Sequence, residues 1–433
     1  MDTFVDSSWY FLRYVSPGLD DAPFDMERAN DWMPVDQYVG GIEHAVMHLL
    51  YSRFFTKVLA DEEGLEHREP FTNLLAHGMV QLEGEKMSKS KGNTVSPQRI
   101  VDEYGADTAR LFIMQAAQPD RAFDWSEEGV RSTNRFLTRL KGMVEAFDAD
   151  EATSERDGEA QRVSEDRAAE SFETAEPPRD DGSREASSEP PRDAVAEYVA
   201  DEIDAAVAVA TEEYDDLTFN VALREAQELV ATLRQYREFA EPHADTFERG
   251  LDAAVRLLVP VVPHLAEELY DELGGEGFAV EAEWPSADAD RETVEKRRAL
   301  VENTREDVRQ IVEVAGIEDP ERIDIVVTPE WKFEALGIAV ESDADDLISE
   351  LMQESAIREQ GDAAASYGQD LQAEREALST TLSPDEEHEA LVAATWLVER
   401  EFDAPVRVVR ATEADDETAR TAEPGRPAID IVE

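Results

Sequence analysis

The 433-residue sequence contains no cysteine, which excludes disulfides and thiolate metal sites and leaves the redox compartment open. It is also poor in lysine. Of 41 basic residues only seven are lysines, against 101 Asp and Glu, and the formal net charge is −60. No apolar run is long enough to span a bilayer. The opening Met1-Asp2-Thr3-Phe4 has no basic region followed by an apolar core, so no signal peptide is read there. These absences point to a soluble cytoplasmic protein. Three readings compete for the charge: a disordered acidic chain, a binder of cations or basic partners, or a fold adapted to concentrated salt. Periodic apolar stretches and 42% hydrophobic residues argue against disorder throughout. Salt screens the self-repulsion, and scarce lysine beside abundant Asp and Glu fits the third reading. Nucleic acid should be repelled overall, so an RNA partner would have to meet local arginine clusters.

Against that background, Lys86, Lys89 and Lys91 fall within six positions, inside Gly84-Glu85-Lys86-Met87-Ser88-Lys89-Ser90-Lys91-Gly92-Asn93. Glycine on either side frees the loop and lets its backbone approach a ligand. Mobile lysines suit a polyphosphate whose charge shifts during reaction, and the Ser88 and Ser90 hydroxyls add neutral donors. The bland alternative is a basic surface turn.

Upstream, 35–39 reads as a short strand running into Gly40-Gly41, followed by a helix from Ile42. Strand, glycine turn and helix together bring backbone N–H groups up to a nucleotide. His44 and His48 share one helix face. They could be zinc ligands, but no third ligand is evident and Glu43 precedes the first histidine rather than following it. A polar pair lining a small-molecule pocket is the better reading. In the first ten residues Phe4, Ser7 and Tyr10 suggest a pocket wall, with core packing as the alternative. Residues 17–34 read as a surface loop. Phe71 to Val80 reads as one strand ending at Met79-Val80, just before the lysine loop.

Farther on, Ser96-Pro97 starts a helix that Gly105 interrupts, Asp107 is expected to cap a second helix, and Ser126-Glu127-Glu128 opens a long one to about Phe147. Arg131, Arg135, Arg139 and Lys141 on it form the densest basic patch after the loop, for RNA contact or simple solvation. Residues 148–192 hold almost nothing apolar and are predicted to be a disordered acidic insertion. Helices at 194–214, 218–239, 243–259 and 262–273 predict a bundle, with Arg224, Arg234 and Arg237 on the second. A charged helix at 293–314 leads to a small α/β unit. Its strands are expected at 323–327, 406–409 and 428–432, and its helices at 330–338, 343–353 and 385–402. The 360–383 region is weakly patterned.

Several blocks then match in order: D-T-F-V-D-S-S-W-Y at 2–10, V-G-G-I-E-H-x-x-x-H-L-L-Y at 39–51, G-M-V at 78–80, K-M-S-K-S-K-G-N at 86–93 and Y-G-A-D-T-x-R-L at 104–111. This set resembles the leucyl-tRNA synthetase family of class I aminoacyl-tRNA synthetases. F-N-x-A at 219–222 and W-P at 284–285 are fainter echoes, and the last hundred residues carry almost none. The resemblance implies an α/β plus all-α architecture. The C-terminal part of a Rossmann-like catalytic domain would occupy 1–125. A helical anticodon-stem-binding domain would occupy 126–290, interrupted at 148–192, and a linker helix with a small α/β domain 291–433. It implies leucine bound by Phe4, Ser7, Tyr10, His44 and His48. ATP would meet Gly40, Gly41, Glu43, Met79, Val80, Lys86, Met87, Ser88, Lys89 and Ser90. Lys86 and Lys89 would stabilise the triphosphate attacked by the leucine carboxylate. Magnesium would arrive with ATP, no zinc is implied, and tRNA-Leu would lie along the basic helix residues of the bundle.

One departure qualifies this. The family's second ATP motif, H-x-G-H, occurs nowhere, and His77-Gly78 is the only His-Gly pair. The first half of the catalytic fold and the editing domain are also without a match. The expectation is a C-terminal portion, inactive alone, working with a separate N-terminal half and otherwise monomeric. An inactive tRNA-binding remnant is the alternative. A valine or isoleucine enzyme is disfavoured because the F-V-D-S-S-W-Y and G-G-I-E-H-x-x-x-H-L-L-Y pairing is more leucine-like.

Overall fold

The computed structural model describes residues 4–168, 192–287, 289–317, 319–342, 344 and 346–432. They form two compact units. The first holds residues up to Gly142 with Ala210–Arg224 and Leu258–Leu269; the second holds the rest.

In the first unit the aromatic opening coils into α1 (Phe4–Ser7) and α2 (Tyr10–Tyr14). A third helix, α3 (Met26–Trp32), lies where the sequence reads as a loop. Asp25 starts it by accepting the Arg28 amide at 3.1 Å. Next, β1 (Val35–Gly41) runs straight into α4 (Ile42–Glu62), and β2 (Phe71–His77) returns parallel to β1. Parallel strands need a crossover, and α4 provides it. Gly40 lies opposite Ala76 and Gly41 opposite His77.

The single strand predicted for 71–80 is in fact two. The chain leaves β2 at Gly78 and resumes as β3 (Val80–Leu82), which pairs antiparallel with β4 (Glu85–Lys86) and parallel with β5 (Phe123–Asp124). At the break the chain comes up against the 119–122 segment. The Gly78 amide donates to the Pro119 carbonyl at 2.7 Å, and a Cβ on Gly78 would stand 2.0 Å from the Arg121 carbonyl oxygen. Only glycine lets the two backbones approach this closely. Between β3 and β4, Glu83 and Gly84 both take left-handed φ (55° and 75°), as a tight two-residue hairpin requires.

Helices α5 (Pro97–Tyr104) and α6 (Ala106–Gln115) meet at Gly105, as predicted. Asp107 does not cap α6, because Gly105 occupies that position. Its carboxylate instead accepts the Leu265 amide at 2.7 Å and pairs with His264 at 2.8 Å, at the start of a helix more than 150 residues away. Asp107→Ala should cost about 1–2 kcal/mol of stability through loss of this cap. A thermal melt unchanged from the parent would contradict it.

The long helix α7 (Glu127–Ala168) starts at Ser126, whose hydroxyl accepts the Gly129 amide at 3.0 Å. It runs past Phe147 into the segment expected to be disordered. Ala, Glu, Arg and Gln fill much of 148–168, and no proline occurs between Phe147 and Pro177. Good helix formers can extend a helix without an apolar face. The rest of the predicted insertion, 169–191, lies outside the described residues.

The bundle helices α8 (Arg192–Asp215), α9 (Phe219–Phe239), α10 (Ala244–Leu258) and α11 (Pro263–Glu272) lie within two residues of the predicted bounds. Ile203, Leu233, Phe247 and Leu251 are fully buried in the second unit. There α12 (Arg291–Ala315) leads to β6 (Arg322–Val326), α13 (Glu330–Glu341), α14 (Leu347–Leu351), α15 (Ser355–Arg358), α16 (Asp362–Ala373), α17 (Pro384–Phe402), β7 (Val406–Val409), α18 (Asp416–Thr421) and β8 (Ala428–Val432). The sheet order is β7-β6-β8. Ile323, Ile325 and Val406 pack against Leu300 and Val308 of α12 and Leu391 and Val398 of α17. Helix α16 hides in the weakly patterned region because its inward face is Ala364, Tyr367, Gly368 and Leu371, which carry little hydropathy contrast.

Candidate nucleotide and amino-acid site

The site is assembled where β1 ends. Gly41 is the N-cap of α4 and makes no side-chain capping bond, so the first-turn N–H groups of a 21-residue helix are left for a ligand. A cleft of about 790 Å³ opens at this point, lined by Gly40, Gly41, Glu43, His44, Met79 and Val80. The five non-loop residues predicted for ATP therefore share one wall system. Gln118, Arg121 and Phe219 also line it and were not foreseen. Gln118 and Arg121 come from a segment whose sequence shows no ligand pattern, and Phe219 opens the F-N-x-A block, to which the resemblance gave no ligand role.

The lysine loop is tied to this cleft. Lys86 Nζ donates to the Glu43 carboxylate at 2.5 Å, linking the loop to the first turn of α4. That hydrogen bond, then the Lys86 charge, holds the Glu43 carboxyl below its usual range. Both side chains are exposed, so the pair adds little to stability and serves mainly to position the loop. Asn93, missed in the sequence, closes the loop: its Oδ1 accepts the Ser88 amide at 2.9 Å and its Nδ2 donates to the Lys86 carbonyl at 3.3 Å. Ser88 and Ser90 share a hydroxyl hydrogen bond at 2.8 Å, and Lys91 pairs with Glu85 at 2.9 Å. Asp124 supports the base by accepting the Gly84 amide at 2.7 Å. Lys89 makes no ion pair with any described residue, so it alone of the three loop lysines is uncommitted.

The residues predicted for leucine also come together. The Phe4 ring stacks on Tyr51 at 6.1 Å and lies 6.4 Å from both His44 and His48; Tyr10 is 6.1 Å from His48. Ser7 joins through its backbone: its carbonyl accepts from His48 Nε2 at 2.6 Å. A carbonyl can only accept, so Nε2 carries a hydrogen, and Nδ1 shares a hydrogen bond with the Tyr38 hydroxyl at 2.7 Å. Burial pushes the Tyr38 and Tyr10 hydroxyls up. Both His48 nitrogens are thus used internally, and this buried ring offers a face rather than a free nitrogen. His44 remains exposed. Among the described residues no three His, Asp or Glu side chains converge as metal ligands.

The predicted RNA-contact residues are largely satisfied by their own chain. Arg131 and Arg135 pair with Glu128, Lys141 with Glu268, and Arg234 with Glu238. Arg224 is exposed on α9. Arg139 and Arg237 are exposed and make no ion pair with any described residue. No described helix is long and apolar enough to cross a membrane.

Comparison with known proteins fits this geometry. Residues 1–126 match the model for tRNA synthetases class I (I, L, M and V), and 196–326 match the anticodon-binding domain of tRNA ligase. The leucine–tRNA ligase of Halobacterium salinarum is 50% identical over 434 aligned residues, covering 100% of this chain and 45% of that protein. That of Halorhodospira halophila is 42% identical over 316 residues, 73% of this chain and 33% of that protein. Among solved structures, the ternary complex of Agrobacterium radiobacter K84 agnB2 LeuRS with tRNA and LeuAMS gives a TM-score of 0.54 at 26% identity, over 83% of this chain and 39% of that one. The chain spans less than half the length of the curated relatives it matches. Along its whole length this chain is homologous to a part of the leucine–tRNA ligases, with both family models in the expected order.

Proposed function

We propose that this chain supplies the lysine-loop side of a site that activates leucine with ATP and charges tRNA-Leu. One observation carries the reading: Lys86 is tethered to Glu43 at the mouth of the glycine-floored cleft, while Lys89 beside it is uncommitted. The uncapped helix start, the open glycines and the free lysine suit a triphosphate. In the reaction, a leucine carboxylate oxygen attacks the α-phosphorus of ATP, the bond to the bridging oxygen breaks, and pyrophosphate leaves. The terminal ribose hydroxyl of tRNA-Leu then attacks the leucyl carbonyl carbon and AMP leaves. Lys86 and Lys89 would neutralise the charge gathering on pyrophosphate, and Mg²⁺ would enter with ATP. Met87, Ser88 and Ser90 would shape the loop around it. Leucine would rest against Phe4, Tyr10, His44 and His48, with Ser7 at the base. Arg139 and Arg237 would be the readiest tRNA contacts of the helical domain at 126–290. The setting would be a salt-rich cytoplasm, and the catalytic share of the chain 1–125.

The test is leucine-dependent ATP–pyrophosphate exchange in concentrated KCl. This chain is assayed alone, then together with the portion of the Halobacterium relative that it does not match. Exchange on combination is expected. None in either sample, with the chain shown to be folded, would leave an RNA-binding fragment as the reading.

A further inference from the structure

A second cleft, of about 690 Å³, opens in the second unit beyond the carboxyl ends of two parallel strands. Strand β6 pairs with β7 as far as Val326 and Val409. The chain just after each strand, at Thr328 and at Arg410, lines the opening. Ligands of open α/β sheets bind at such strand ends, and the volume is ordinary for a small-molecule site. The leucine and ATP chemistry uses none of it.

The charges of this cleft are sorted by element. Glu330 and Glu334 stand one turn apart on α13, and Glu359 lies at the end of α15. Arg410 follows β7, and Arg420 comes from α18. All five are exposed. The three carboxylates and Arg420 make no ion pair with any described residue, and Arg410 has a 3.4 Å contact to exposed Asp385. With 101 acidic residues against 41 basic ones, an arginine without a carboxylate partner stands out. Half-buried Trp331 adds an aromatic surface to the lining.

Two buried charges hold the walls. Lys332 is 4% exposed, and its Nζ donates to the Arg420 carbonyl at 2.7 Å and the Ala422 carbonyl at 2.6 Å. Glu387 is fully buried, and its carboxylate accepts the Thr328 amide at 3.4 Å and the Gly425 amide at 2.8 Å. Neither makes an ion pair with a described residue. Buried charges stabilise a fold poorly beside apolar side chains. These two are spent on main chain at Arg420 and Thr328, both of which line the cleft, as the supporting shell of a binding site would be.

We propose that this cleft binds a basic α-amino acid. Its carboxylate meets Arg410 and Arg420, its two cationic groups meet Glu330, Glu334 and Glu359, and its aliphatic stem lies against Trp331. Three carboxylates and two guanidinium groups leave one negative charge in excess, which a ligand with two cations and one carboxylate complements. A polyphosphate would face the three glutamates, and a plain diamine would leave both arginines unanswered. The proposal is independent of the ligase reading.

The experiment is calorimetric titration of the full chain with L-lysine in concentrated KCl. Cadaverine, which lacks the carboxylate, and Nε-acetyl-L-lysine, which lacks the side-chain cation, are titrated beside it. One-site binding of lysine with a Kd below about 1 mM is expected, and at least about tenfold weaker binding of both analogues. Arg420→Gln and Glu334→Gln should each weaken lysine about tenfold, the share of one charge-assisted hydrogen bond. Both side chains are exposed, so the variants should melt with the parent. Excess L-leucine should not displace lysine. No saturable lysine binding by the folded chain would overturn the proposal, as would cadaverine binding as tightly as lysine, or undiminished binding in both variants. Displacement by leucine would place lysine in the site of the first unit and also overturn it.

Discussion

Lys89→Ala is expected to slow leucine-dependent adenylate formation by about 10²–10³-fold, the usual cost of removing one preorganised donor from developing charge. The reason is its freedom. Lys86 is held by Glu43 and Lys91 by Glu85, whereas Lys89 pairs with no described carboxylate. A lysine that stabilises nothing in the resting protein can be lost without a structural cost, so Lys89→Ala should melt with the parent. Its tRNA affinity should also stay close to the parent's. Single-turnover adenylate formation and a tRNA titration, both in the same KCl concentration, separate these effects. Equal losses of adenylate formation and tRNA binding would contradict a role at the triphosphate.

Gly78→Ala should be the most damaging small substitution near the cleft. The added Cβ would meet the Arg121 carbonyl oxygen at 2.0 Å, its carbon at 2.1 Å and the Ala122 nitrogen at 2.6 Å. All three are backbone atoms, so no flexible side chain can yield. The 119–122 segment must move, and with it Arg121, which lines the cleft. A loss of about 3 kcal/mol is expected, at the upper end for overpacking, together with a raised KM for ATP. Gly142→Ala is the control. It lies in α7 with no atom within 4 Å of the new Cβ, and it should be neutral or slightly stabilising. Two glycine variants with equal melting temperatures would show that position 78 tolerates a side chain after all.

Much of this protein is set by local chemistry and was legible in the sequence. The bundle helices follow from apolar periodicity over long spans, which needs no partner to be read. Gly105 between α5 and α6 and Ser126 before α7 acted as their residue types dictate. The glycine turn, the lysine loop and the aromatic opening pointed to the candidate site because unusual residues were concentrated there. What stayed hidden depends on neighbours distant in the chain. Asp107 resembles a local cap but caps α11, because folding brings Leu265 to it. Phe71 to Val80 reads as one strand because the carbonyl that takes the Gly78 amide belongs to Pro119, distant in the chain. His48 becomes a buried link only when Tyr38 and the Ser7 carbonyl close on it from two other elements. Sequence determines which conformations each segment prefers; only tertiary packing decides which faces are buried and which donors find partners, because burial and hydrogen bonding are properties of surroundings rather than of residues.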